Sequence, residues 1–232
     1  VFGKHGRVPE RIETKSSRPE YQYTPLFSSD DFQYLPDKNG KISLKEVWEF
    51  NHQPDSLHWS IADGEFRIQS DKLCTKLEEA VNTLTQRTRC EAEVTINGSD
   101  MNVGDYAGIS AFLGCFGFVA LKKEEDHMSL VMVGKQEEDE SLNGKKNWDA
   151  GTEYEKIRIP SDYVRLKVAI DFEYKKDEAE FFYETAKGWK KIGRTQKLYF
   201  KMDHFCGCRF ALFMYSTRVT GGSAGFTNFI YT

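Results

Sequence analysis

Along most of the chain apolar and polar residues alternate one for one, the pattern of strands that bury a single face. In Arg89-Cys90-Glu91-Ala92-Glu93-Val94-Thr95-Ile96 the small and apolar residues at 90, 92, 94 and 96 share one side, while charge and hydroxyl take the other. Asn97-Gly98 follows, a pair able to take positive φ at both residues and so to make a tight turn. Arg165-Leu166-Lys167-Val168-Ala169-Ile170-Asp171-Phe172 repeats the pattern, with Leu166, Val168, Ile170 and Phe172 inward. Lys175-Lys176-Asp177-Glu178 reads as a hairpin tip before Ala179-Glu180-Phe181-Phe182-Tyr183. Many short strands separated by turns predict two packed antiparallel sheets.

Three kinds of segment depart from this period. From Lys72 to Leu84 the apolar positions 73, 77, 80, 81 and 84 fit a helix, which predicts a short helix around Thr75 to Ala80. The charge runs at 122–126 and 136–140 read as solvated loops. Residues 1–25 carry Pro9, Pro19 and Pro25 among charges, without a hydrophobic period. They read as an arm or linker leading in from an upstream domain, with one compact domain over 26–232 that starts near Phe27 or Asp31.

Composition supports the single domain. A chain of 232 residues has room for one large all-β domain or two small ones, and 17 Phe and 11 Tyr favour wide, half-buried pleated surfaces. A net charge of -4 with 29% charged residues is a solvated surface of mixed sign. Nucleic acid is therefore not an expected partner, because neutralising phosphates needs a basic face. No apolar run approaches the ~18 residues of a membrane span, and Val1 to Arg7 lacks the apolar stretch of a signal peptide. The start without Met reads as a fragment or a processed product. The 5 cysteines, an odd count at irregular spacing, form no disulfide framework and are expected to be mostly buried free thiols.

Trp48-Glu49-Phe50-Asn51-His52-Gln53-Pro54-Asp55, then Trp59, then Asn82-Thr83-Leu84-Thr85-Gln86-Arg87 make an ordered set far longer than a chance motif. Gly104-Asp105-Tyr106-Ala107-Gly108, Leu130-Val131-Met132-Val133 and Arg209-Phe210-Ala211-Leu212-Phe213 continue it in order. The set resembles the β-sandwich that follows the catalytic propeller in glycoside hydrolase family 43, the β-xylosidases and α-L-arabinofuranosidases. The resemblance covers residues 26–232. It implies an all-β, concanavalin A-like sandwich of jelly-roll type, with an extended N-terminal arm. By the same resemblance it is a non-catalytic accessory domain of a bacterial enzyme acting on xylan or arabinose-containing polysaccharide. Such a domain packs on the propeller of the same protein and shapes its pocket. The catalytic part would lie upstream of Val1, in a secreted or periplasmic parent. Two other readings remain open: an independent lectin-like module binding xylan- or arabinan-type saccharides, and a protein-interaction scaffold.

Glycoside hydrolysis needs two carboxyl groups facing each other across roughly 5–10 Å. Here the acidic clusters Asp139-Glu140 and Asp177-Glu178 fall in predicted loop tips, and Glu93 and Asp171 point outward from strands. No catalytic residue is expected within the chain. His204, Cys206 and Cys208 share one face of a strand, as soft-metal ligands would. No second ligand pair completes a tetrahedral site, so two small buried thiols at a sandwich corner are expected. Aromatics turned away from the core are sugar-stacking candidates: Phe112, Phe182, Phe213 and Tyr215. Alternation leaves open which face of 209–215 is the core one.

The resemblance further implies a loop leaning over the propeller pocket, which matches 203–209. The substrate-binding candidates are therefore Phe205, Arg209, Phe182 and Tyr215. It also implies a structural calcium held by an Asp near the first strand, here Asp30 and Asp31, together with acids of the last strand. Gly225 and Thr227 stand where two of those acids are frequent, and hard cations need several oxygens, largely anionic. Trp48 and Trp59 are expected in the core. Because 82–87 carries polar side chains on both sides, Gln86 or Arg87 is expected buried and bonded to a neighbouring loop.

Overall fold

The computed structural model describes residues 18–20, 22, 25–88, 90–135, 151–199 and 207–232. The alternating stretches become strands β1 (Glu49–Phe50), β2 (Trp59–Ala62), β3 (Glu65–Gln69), β4 (Leu84–Arg87) and β5 (Glu91–Asn97). Next come β6 (Asp105–Phe112), β7 (Gly117–Lys123), β8 (Met128–Gly134), β9 (Thr152–Ile159) and β10 (Tyr163–Asp171). The last are β11 (Glu178–Thr185), β12 (Gly188–Lys191), β13 (Gln196–Lys197), β14 (Arg209–Ser216) and β15 (Ser223–Tyr231). One sheet runs β1-β4-β14-β6-β7-β8-β9 and the other β12-β11-β10-β5-β15-β3-β2, with β13 on β11. Neighbouring strands in both are antiparallel.

The period-two positions meet between the sheets. Ala92, Val94 and Ile96 of β5 and Leu166 and Val168 of β10 are fully buried, in one cluster with Ile109, Leu121, Leu130, Phe210 and Leu212 of the other sheet. Each large side chain buried there contributes about 1.5–3 kcal/mol. β8 and β14 are apolar on both faces, so the outer face of their sheet needs cover as well. Phe118, Val131, Phe213 and Tyr215 form a second cluster there, with Cys74, Leu77 and Ala80 from the loop between β3 and β4. The helical spacing of 72–84 is thus a loop laying small and apolar residues onto a sheet, and it holds a single 3-10 turn, Leu77–Glu79.

The polar residues of the two long motifs turn out to be partners. Asn82 is 1% exposed, at φ 59. Its Oδ1 accepts from the Asp55 amide at 2.8 Å and its Nδ2 donates to the Asp55 carbonyl at 3.1 Å. A short amide side chain is what tolerates this left-handed backbone and supplies both a donor and an acceptor. The Asn51 amide donates to the Thr83 carbonyl at 3.0 Å, and His52 Nε2 lies 2.6 Å from the Glu78 carbonyl.

Asn97-Gly98 does not make the predicted tight turn of positive-φ residues. Gly98 instead begins the passage from β5 to β6 in the opposite sheet. A Cβ at Gly98 would lie 2.8–2.9 Å from the side-chain ends of Met101, Met128 and Leu121, so any larger residue there must push these three aside. The tip between β10 and β11 does bend sharply, with positive φ at Tyr174, Lys175 and Asp177. The body's first pairing is Asp30 with Phe229, each amide donating to the other's carbonyl at 2.8 Å. The charge run 136–140 and the trio's His204 and Cys206 lie outside the described residues. No helix among the described residues is long and apolar enough to cross a membrane.

Candidate functional site

At the N-terminal end of β14, register places Arg209 opposite Arg87 of β4. Strand pairing therefore brings two guanidinium groups to one edge, where Arg87 is exposed. The Arg209 side chain is 11% exposed, and its Nη2 donates to Glu49 of β1 at 2.9 Å. Its Nη1 is buried without a hydrogen-bond partner, an uncommon state for a charged donor. On the other face of β4, Gln86 is fully buried and its Oε1 accepts from the Ser28 amide at 2.5 Å, while its Nε2 has no partner. The expectation for this pair thus holds at Gln86, which ties β4 to the segment leading into the body, and Arg87 faces solvent. Next to Arg209, Cys208 is 8% exposed and burial pushes its thiol up to about 12, so it is inert at neutral pH. Phe205 lies outside the described residues.

The remaining aromatic candidates are elsewhere. Tyr215 lies six positions along β14 from Arg209, or roughly 20 Å at the rise of a strand. It is 4% exposed, and it stacks on Tyr106 with ring centroids 5.0 Å apart. Burial holds its hydroxyl well above the ordinary value. Phe112 and Phe213 are buried in the same second cluster. Phe182 is half-buried on the outer face of the other sheet, with the Lys167 ammonium 5.0 Å from its ring centroid. Lys167 also lies 5.1 Å from the Trp189 ring, and the Arg165 guanidinium 5.3 Å from it. These cations occupy ring faces that a sugar would need. Arg209, Tyr215 and Phe182 consequently share no single site.

The strand carboxylates are spoken for. Glu93 pairs with Arg165, and Asp171 with Lys176 at 2.6 Å. Asp55, His58 and Asp71 bring ligand atoms within 4.8 Å of one another. Asp55 Oδ2 takes His58 Nδ1 at 2.7 Å and its Oδ1 caps the Leu57 amide at 3.0 Å, so both oxygens of Asp55 already have partners within the protein.

Asp30 is the most heavily hydrogen-bonded carboxylate among the described residues. Its Oδ1 accepts from the Phe32 amide at 2.9 Å and the Lys45 ammonium at 3.0 Å. Its Oδ2 accepts from the Tyr34 hydroxyl at 2.5 Å and the Trp48 indole at 2.8 Å. Asp31 is exposed and caps the Gln33 amide at 3.1 Å. In the last strand a Cβ at Gly225 would lie 2.1 Å from the Glu65 carboxylate, which Arg67 holds at 2.6 Å. An acid at that position would have to push the Glu65 carboxylate away from Arg67. With the Lys45 ammonium on Asp30 and no acid at Gly225 or Thr227, the residues present do not fit a calcium ion. Sequence reasoning did not single out Lys45 or Glu49: each becomes a partner only through pairing with residues 15 or more positions away, and no local pattern marks them.

A family model described as the beta xylosidase C-terminal concanavalin A-like domain matches residues 29–232. Among similar solved structures is a bifunctional GH43-CE protein of Bacteroides eggerthii, 34% identical with a TM-score of 0.81, covering 98% of this chain and 28% of that one. Another is a GH43 glycoside hydrolase whose engineered active site gives it both endo-xylanase and exo-arabinofuranosidase activity. It is 20% identical with a TM-score of 0.78, over 100% of this chain and 46% of that one. The GH43 BlXynB protein of Bacillus licheniformis is 20% identical with a TM-score of 0.68, over 98% of this chain and 42% of that one. The last two likenesses, at that identity, speak for the fold alone. The chain spans less than half the length of each of these proteins. No curated protein matches the sequence.

Proposed function

Because this chain belongs to the family of β-xylosidase C-terminal concanavalin A-like domains, we propose that it is the non-catalytic accessory sandwich of a family 43 glycosidase acting on xylan or arabinose-containing polysaccharide. In this reading it packs on the catalytic propeller and shapes the outer wall of its pocket. The observation that carries the reading is the family match over 29–232, which follows the sandwich from its first bridge to its last strand. Two features of the site support it. The strand carboxylates that hydrolysis would need are committed to Arg165 and Lys176 on outer faces. The edge formed by Glu49, Arg87 and Arg209 leaves Arg87 exposed, where a partner carbonyl or carboxylate would pair with its guanidinium.

Two measurements test the proposal. Rigorously purified chain is expected to leave aryl β-xylosides and aryl α-L-arabinofuranosides intact; hydrolysis that one Asp or Glu substitution within it abolishes would overturn the non-catalytic assignment. In the parent enzyme, deleting the sandwich is expected to lower the melting temperature and raise KM. A propeller unchanged in both would sink the packing role. Saturable binding of xylan or arabinan by the isolated chain would replace it with the independent binding module.

A further inference from the structure

The Asp30 side chain is 0% exposed, and its two oxygens have the four donors described above. Only one of those donors carries a charge. The Lys45 ammonium sits 3.0 Å from Asp30 Oδ1 and 3.3 Å from the Ser29 carbonyl oxygen, so it is ligated by one anionic and one neutral oxygen. A cavity of about 260 Å³, lined by Ser29, Asp30, Asp31, Lys45, Asn228 and Phe229, opens at this point. The backbone around it is tied in as well: Asp30 and Phe229 exchange amide hydrogen bonds, and the Lys45 amide donates to the Tyr34 hydroxyl at 3.2 Å. Three separate stretches, 29–34, 45–48 and 228–229, thus converge on one buried negative charge and one positive one.

A buried carboxylate with no counter-charge is costly, and a compact ammonium on a flexible stem is well suited to reach it. We propose that the Lys45 ammonium is a tethered cation that takes, for Asp30, the place a bound divalent ion takes in a metal-dependent fold. Removing the ammonium leaves the Asp30 carboxylate, the Ser29 carbonyl oxygen and the nearby Asp31 carboxylate around an open cavity, an all-oxygen set suited to a hard divalent cation. A covalently held cation cannot be chelated and does not vary with free ion concentration. The fold of this chain is therefore independent of divalent cations, and it becomes responsive to them when Lys45 is lost.

Thermal melting of the chain in calcium chloride and in EDTA tests this. The wild type is expected to melt within about 1 °C in the two conditions, as follows when no ligand binds the native state. Lys45→Met keeps the aliphatic stem and loses the charge. It is expected to melt about 3–8 °C lower in EDTA, a range discounted for the half-exposed lysine, and to regain at least half of that in calcium. Lys45→Gln should behave alike, and Lys45→Arg should stay near the wild type in both conditions. A wild type that melts higher in calcium than in EDTA overturns the proposal. So does a Lys45→Met that melts like the wild type, or one that calcium fails to raise. A Lys45→Met that folds only with calcium supports it; if neither neutral variant folds in either condition, calcium has not replaced the ammonium and the proposal falls.

Discussion

Two buried aspartates at different places in the sandwich meet the same problem with different means. Asp30 and Asp105 are 2% and 0% exposed. Asp30 has a cation, an indole, a phenol and an amide around it. The hydrogen bonds to Asp105 come from neutral groups: the Ser216 hydroxyl, itself 2.6 Å from the Ser70 hydroxyl, and the Asn102 amide at 2.7 Å. Burial pushes the Asp105 carboxyl above the ordinary value, against the opposing pull of Ser216 and Asn102. Neutral donors can satisfy the geometry of a carboxylate without offsetting its charge. One aspartate therefore makes the fold depend on a lysine, and the other makes it depend on pH.

The comparison breaks first at Trp48. Trp48→Ala removes the indole donor to Asp30 and the ring contacts with Phe32 and Phe229, whose centroids lie 6.0 and 4.9 Å away. We expect a loss of about 3–5 kcal/mol in urea unfolding, and a variant with the wild-type midpoint would show that this cluster anchors nothing. Tyr34→Phe is the smaller cut. It leaves Asp30 Oδ2 with the indole alone and takes the acceptor from the Lys45 amide, for about 1–2 kcal/mol. An effect near zero would mean that water replaces the phenol freely.

Asp105→Asn has the least expected effect, within about 1 kcal/mol at neutral pH, and the most telling pH dependence. A folded-state pKa raised above the unfolded one gives stability that is fully present below the unfolded value of about 4 and lost as pH rises through the folded value. The wild type therefore gives up this contribution between acid and neutral pH and the amide variant does not. The difference in melting temperature should move in favour of Asp105→Asn as pH rises from about 4 to about 8. A pH-independent difference would remove the contrast between the two aspartates.

The strands at 91–97 and 163–171 were legible because each buries one face more deeply than the other, and burial follows the alternation until Asn97, which is buried beside Ile96. β14 was not, since all but its first residue is buried. Two faces covered by two different clusters erase the period that would tell them apart. This is why Tyr215, placed among the ligand-facing aromatics by sequence, lies beneath the loop between β3 and β4. The motif at 82–87 was recognisable as a motif, and burial of Gln86 followed from counting donors and acceptors. What it pairs with did not: Ser28 and Asp55 reach β4 and Asn82 through the fold, 58 and 27 residues away in sequence. For the same reason Arg209 was singled out while Glu49, its partner, was not.

The closing strand has a consequence for how the protein is made. β15 lies in the interior of its sheet, between β5 and β3. Its Tyr231 amide reaches the Ser29 hydroxyl across 202 residues of sequence. During synthesis the β2–β3 hairpin and the β5–β10–β11 ladder are made before β15, the strand that joins them. Until then each presents an unpaired edge beside uncovered apolar side chains, the condition under which nascent chains stick to one another. Loop closure over such a distance is also slow. A ribosome stalled a few codons before Ser223 would release a chain with nearly all of its core residues and no means of closing the sheet, a substrate for chaperones and proteases rather than a weakened domain.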